Sequence, residues 1–275
     1  MQAKSMSTNE QDVYTEALRI LNDAGIHYVV SGAVALGHYT GIWRETKDMD
    51  IFLVRSNLTA TLLALAAHGY QVETTSQHWL AKARKGDYFV DLIYGFGGWR
   101  APVDDAWWER GSPGVLLGQR VRMAPVEEMI WMKSYVAHRE RFDLADVLHL
   151  IQACHHLIDW EHLLRRFGPD WSLLLFHLNL YQFVYPTHRA DIPAWVTHHL
   201  IERRKAADEP TDQPMVCRGP LLDRFSFLVD VQEGWEDGRL PWAEAQGFSA
   251  HDLELDRAEA ARKLAAGQVR PDRSA

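Results

Sequence analysis

Apolar residues at Val13, Leu18, Ile20 and Leu21 recur at helical spacing and stop before Gly25, which predicts a first helix over Val13 to Ala24. His27 to Ser31 carries Tyr-Val-Val and reads as a strand that breaks at Gly32, and the small apolar stretch Ala33 to Tyr39 follows as a short helix. A polar loop, Thr40 to Lys47, leads into the run Asp50 to Val54. Asn57 then offers an N-cap for a helix through Ala67, closed by Gly69. Tyr70 to Thr74, His78 to Ala83 and Asp87 to Tyr94 are three further strands, with Lys85-Gly86-Asp87 as the turn between the last two. The first hundred residues therefore predict a mixed sheet of about five strands, with Val115 to Met123 as an added edge strand.

From Pro125 the period changes to helical. Helices are expected over Val126 to His138, Asp143 to His155, Trp160 to Phe167, Trp171 to Phe183, Pro193 to Lys205, Leu221 to Gly234 and His251 to Ala266, with an acidic, proline-bearing linker at Ala207 to Pro214. The fold class is α+β: a mixed sheet flanked by helices over 1–124, then a helical region over 125–275 that forms a bundle. No internal repeat interrupts this division.

A hydrophobic content of 47% over 275 residues is enough to bury a core. No apolar run approaches the roughly 20 residues needed to cross a bilayer, and Met1 to Asp12 is polar, so a cytoplasmic protein without a membrane partner is expected. Cys154 and Cys217 are far apart and suggest neither a disulfide framework nor a zinc site. A net charge of −8 argues against a protein whose main task is sequence-independent gripping of nucleic acid.

Chemistry concentrates in three carboxylates. Side chains alternate along a strand, so Asp48 and Asp50 point to one side while Met49 and Ile51 take the other. Their backbones lie roughly 6 to 7 Å apart, within reach of one shared cation. Two like charges about 4 Å apart cost on the order of 4 kcal/mol near a protein surface, so the pair asks for a positive ligand. Asp91 stands in the apolar run Tyr88 to Tyr94, where a charge is costly unless it is paired or bound. Alone, a salt bridge or a cap would explain it. Together with Asp48 and Asp50 it completes a ligand set for magnesium and a nucleoside triphosphate. The glycine turn at Ser31 and Gly32 opens a helix whose N-terminus favours an anion, although glycine is also common in such turns for backbone freedom alone.

The segment Tyr28 to Gly37, followed by Arg44-Glu-Thr-Lys-Asp-Met-Asp, resembles the polymerase-beta-type nucleotidyltransferase superfamily. Gly32, Arg44, Thr46, Asp48, Asp50 and Asp91 fill that superfamily's glycine turn, Arg-x-Thr-x-Asp-x-Asp strand start and third aspartate. Within it, the chain is similar to small bacterial nucleotidyltransferases and the abortive-infection toxin-like branch, through Lys133, Arg141, Asp143 and Asp146 downstream. The likeness spans roughly residues 15 to 155. It implies two divalent metals, Mg2+ or Mn2+, held by Asp48, Asp50 and Asp91, with Asp91 as general base. It also implies a nucleoside triphosphate held by Ser31, Gly32, Arg44 and Lys133, and transfer of a nucleoside monophosphate to a hydroxyl acceptor with release of pyrophosphate. The sequence departs from the pattern at Ala33, where a serine or second glycine is usual, so backbone N–H groups and Ser31 are left to hold the phosphates. The acidic chain favours a small-molecule acceptor over a transfer RNA or a protein. The alternative is a catalytically degenerate fold of this kind that binds a nucleotide or a protein partner.

Lys133 lies on an otherwise apolar helix, where a lysine either snorkels to solvent or delivers its charge to a phosphate; the resemblance favours the phosphate. Asp143 and Asp146 read as partners of Arg139 or Arg141. The cluster His149, Cys154, His155 and His156 lacks metal-ligand spacing, and Trp107 and Trp108 are expected in the core or at a domain seam, with a substrate cleft as the alternative.

Overall fold

The computed structural model describes residues 8–44, 46, 48–207 and 215–267. Glu45 and Lys47 of the motif, and residues 208–214 of the linker, lie outside them. The chain divides into two compact units, one of residues up to Phe96 with Pro102–Met129, the other of Gly97–Ala101 with the residues from Ile130 onward. The boundary expected at 124/125 stands a few residues before this division, which falls inside a helix.

In the first unit, α1 (Thr8–Asp23) buries Tyr14, Ala17, Leu18 and Leu21 on one stripe and ends at Gly25, whose φ of 65° is accessible to glycine without strain. Strand β1 (Val29–Val30) and helix α2 (Gly32–Thr40) follow, then β2 (Asp48–Phe52), α3 (Leu58–Ala67), β3 (Gln71–Ser76), β4 (Leu80–Lys85) and β5 (Tyr88–Ile93). Short pieces β6 (Gly95–Phe96), β7 (Ala101–Pro102) and α4 (Asp105–Glu109) lead to β8 (Ser112–Leu116) and β9 (Gln119–Met123). The main sheet has seven strands in the order β3-β4-β5-β2-β1-β9-β8. Strand β2 runs parallel to β5 and antiparallel to β1, and β4 is antiparallel to β5.

Alternation decides which face is buried. Met49, Ile51, Ala81, Ala83, Val90 and Leu92 are all nearly inaccessible, and α1 packs against β5 and β9 on that buried layer, beside α3. Their neighbours Asp48, Asp50, Lys82 and Phe89 take the opposite, more open face. The region Val115 to Met123, expected as one edge strand, is instead the end of the first arm of a hairpin, its turn and its second arm. Leu117 and Gly118 both have positive φ, 49° and 76°, the geometry of a two-residue turn, and Leu117 disguises it because leucine rarely adopts that conformation.

The second unit is helical. Helix α5 (Val126–Ser134) ends four residues before the expected His138, because the chain turns back there: Ala137 bridges Phe142, and the Asp143 N–H donates to the Val136 carbonyl. Helices α6 (Leu144–Cys154), α7 (Trp160–Phe167), α8 (Trp171–Val184) and α9 (Ala194–Ala206) stack their apolar stripes, with Leu163, Phe167, Leu174, Leu178, Val196 and Leu200 buried. Asp159 caps α7 by accepting from the His162 N–H at 3.0 Å.

Past the linker, strands β10 (Val216–Cys217) and β11 (Glu236–Asp237) bracket α10 (Leu228–Gln232). The expected helix Leu221 to Gly234 is thus reduced to one turn of 3-10 helix at Gly219–Leu221 and the five residues of α10; Asp223 accepts backbone N–H bonds from Phe225 and Ser226 and holds a turn between them. Helix α11 (Leu240–Ala245) was not expected, and α12 (Ala250–Ala265) closes the unit with a capping box at Ser249 and Asp252. The buried Arg239 is held by Asp237 at 2.8 Å and Asp256 at 2.7 Å. No helix among the described residues is long and apolar enough to cross a membrane.

Candidate active site

Three adjacent strands align a row of charged side chains. Asp50 on β2 is paired in register with Asp91 on β5, and Asp91 in turn with Lys82 on β4. Residues paired across a sheet share a face, and neighbouring strands lie about 4.8 Å apart, so the two carboxylates stand side by side. Asp48 lies two residues before Asp50 on the same face. Thr46 sits beside it, its hydroxyl 2.9 Å from the Asp48 carbonyl and 3.0 Å from Oδ1, able to donate to one at a time.

The turn before α2 closes on this row. The Ser31 N–H donates to the Asp50 carbonyl at 3.0 Å, which ties the turn to β2. Gly32 has a φ of 59°, and a Cβ built on it would meet Asp50 Oδ2 at 1.7 Å. Only a residue without a side chain lets the first turn of α2 approach the carboxylate so closely. Ser31 is fully buried, and its Oγ has no hydrogen-bond partner, so the N-cap side chain itself does not cap α2.

Lys82 Nζ donates to both oxygens of Asp91, at 2.8 and 3.1 Å. Asp91 is 8% exposed, and burial raises its pKa above the ordinary aspartate value; Lys82 pulls it down, and the nearby Asp48 pushes it up again. Lys82 is the site residue that the sequence did not reveal. Its alternation with Ala81 and Ala83 carried the only signal, and a lysine on the polar side of a strand reads as a solvated surface residue.

The residues present fit a divalent cation. Asp48 and Asp50 are hard oxygen donors on one face, Gly32 lies against the Asp50 carboxylate, the buried Oγ of the preceding Ser31 has no partner, and Asp91 stands next in the row. Asp91 itself faces Lys82, and among the described residues no group of three His, Cys, Asp or Glu side chains is gathered at ligand spacing. Of the three carboxylates expected to converge, Asp50 and Asp91 are neighbours in register, Asp48 lies two residues along β2, and Asp91 is held by a lysine.

The remaining sequence candidates are placed as follows. Arg44 is exposed on the loop before β2. Lys133, in the second unit, is 4% exposed and donates to Asp143 and Asp146, both at 2.8 Å; Arg141 adds a second cation on Asp143 at 2.9 Å. Burial raises the Asp143 pKa, but Arg141 and Lys133 outweigh it and hold the carboxyl below its usual value. Trp107 is buried and stacks on Phe52, and Trp108 stacks on His27, at the end of β2 away from the aspartates.

No family model matches the chain, and no curated protein does. Among solved structures, the chain is similar to the antibiotic-resistance factor ANT(2'')-Ia, with 19% identity over 62% of this chain and 98% of that one and a TM-score of 0.45. It is similar to the lincomycin-bound lincosamide antibiotic adenylyltransferase LnuA, with 15% identity, 52% and 96% coverage and a TM-score of 0.37. It is also similar to an antigenic nucleotidyltransferase-like protein from Paracoccidioides brasiliensis, with 18% identity, 61% and 92% coverage and a TM-score of 0.37.

Proposed function

We propose that this protein is a metal-dependent nucleotidyltransferase that moves a nucleoside monophosphate from a nucleoside triphosphate to a hydroxyl acceptor and releases pyrophosphate. The observation that carries the reading is the in-register row of Asp50 and Asp91, with Asp48 beside it and the Gly32 turn against the Asp50 carboxylate. Asp48 and Asp50 would hold Mg2+ or Mn2+, with Asp91 as a further ligand. The cation supplies charge neutralisation for the triphosphate and polarises the reacting phosphoryl group.

The chain's own groups account for the rest. The first turn of α2, with Ser31 and Gly32, presents backbone N–H groups to phosphate oxygens. Asp91, its pKa raised by burial, accepts the proton of the acceptor hydroxyl as that oxygen attacks the α-phosphorus, and the bond between the α- and β-phosphates breaks to release pyrophosphate. Arg44, on the exposed loop before β2, contributes charge to the triphosphate. Lys133 is spoken for by Asp143 and Asp146, and we assign it to holding α5 and α6 in place. The net charge of −8 favours a small hydroxyl-bearing acceptor over RNA.

The test is turnover of each labelled nucleoside triphosphate with Mg2+ or Mn2+ and pools of small metabolites, RNA or protein, beside an Asp48→Ala, Asp50→Ala control. Label transferred by the wild type and not by the control is the expected result. No transfer together with metal-dependent nucleotide binding would instead favour a binding protein built on the same fold, a reading to which the Lys82 hold on Asp91 lends weight.

A further inference from the structure

We propose that Lys82 is a built-in counter-cation, which occupies Asp91 until a divalent ion enters and then gives it up. The inference rests on the metal site read above and extends it to a residue outside the ligand set. Asp91 is almost inaccessible and cannot leave the row without moving β5, whereas the Lys82 side chain is about one-third exposed, at 34%. A buried carboxylate without a partner is strongly destabilising, so the strand needs a positive charge beside Asp91 whenever no metal ion is there. Lys82 supplies it from the opposing register position through both carboxylate oxygens.

The displaced ammonium has a way out, since the Lys82 side chain is about one-third open to solvent. While paired with Asp91, Lys82 Nζ lies 5.5 Å from the centre of the Phe89 ring on the next strand, a ring that Arg84 also approaches at 5.4 Å. Rotation of the flexible stem moves the charge from the carboxylate towards solvent, where the ammonium is hydrated. Asp91 is then free to turn towards Asp50, its neighbour on the other side. Exchange of partners, rather than movement of strands, converts the row from an ion pair into a ligand set. The lysine and the incoming ion thus compete for one carboxylate.

The competition is read by Mn2+ binding to the full chain, followed by electron paramagnetic resonance at fixed pH, for the wild type and for Lys82→Met. Removal of the competitor is expected to tighten binding roughly five- to ten-fold. Equal or weaker binding by Lys82→Met, with the wild type binding Mn2+, overturns the proposal and leaves the metal site standing. Absence of Mn2+ binding by both proteins overturns the two together. A second measurement needs no variant: acetylation of Lys82 in the wild type, read by mass spectrometry, is expected to quicken several-fold when Mn2+ is added, with Lys263 as the control. An unchanged rate at Lys82 in the presence of bound Mn2+ also overturns the exchange.

Discussion

Gly32 lies against the Asp50 carboxylate so closely that a Cβ at position 32 would come within 1.7 Å of Oδ2, and the glycine backbone there is left-handed, with a φ of 59°. Gly32→Ala must therefore both strain the turn and push Asp50 out of place. The left-handed conformation alone costs alanine about 1 to 2 kcal/mol. Denaturant unfolding is expected to show at least that loss, and Mn2+ titration a weaker site. Unchanged stability and affinity would mean that the turn relaxes without involving Asp50.

Asp48 and Asp50 are expected to separate activity from stability. Asn at either position keeps the shape and removes a charge, so metal-dependent turnover should fall about a thousandfold if several kcal/mol of charge stabilisation is lost. Without metal the same variants should melt at or above the wild-type temperature, since a like-charge repulsion is relieved. A marked drop in melting temperature would point to a structural role instead.

The raised pKa of Asp91 sets a pH dependence with a definite sign. The folded chain holds this proton more tightly than the unfolded one, so in the absence of metal its contribution to stability is greatest below the ordinary aspartate range and is lost as pH rises through the folded pKa. A cation needs the ionised form and competes with the proton. Mn2+ affinity is expected to weaken as pH falls through the raised pKa, above the range where a solvated aspartate of pKa about 3.9 would respond. Asp91→Asn should remove that part of the dependence.

Lys133 tests a different assignment. Its ammonium is buried between Asp143 and Asp146, and Lys133→Met would take a buried cation away from both carboxylates. Loss of a buried ion-pair partner costs about 3 to 5 kcal/mol, so a large drop in unfolding free energy is expected at neutral pH. A stable variant with weakened triphosphate binding would restore the phosphate role that the resemblance implied.

The sequence made some parts of this legible through simple periodicity. Alternation placed Asp48 and Asp50 on one face, and the apolar run around Asp91 marked a carboxylate that needed a partner; the parallel register of β2 with β5, which makes them neighbours, is a long-range fact that no local pattern carries. Lys82 was hidden because its importance comes from what stands opposite it on the next strand. The aspartates that hold Lys133 stand at the N-cap and in the first turn of the following helix, outside any local pattern around the lysine. Helix α7 was readable from Asp159 to Gly168, having a cap, a stripe and a stop, whereas α11 was missed between Arg239 and Gln246, too short for periodicity to show.

Strands β2 and β5 are separated along the chain by all of α3 and the β3–β4 hairpin, yet the carboxylate row exists only once they are paired. Loop closure makes such long-range parallel contacts costly to form, so the row depends on the completed pairing of the two strands. A cation bound across Asp50 and Asp91 would act as a clasp on that pairing, binding the native chain and not the unfolded one. Hydrogen exchange of β2 and β5 amides would register it as protection that grows with metal concentration, before any acceptor is known.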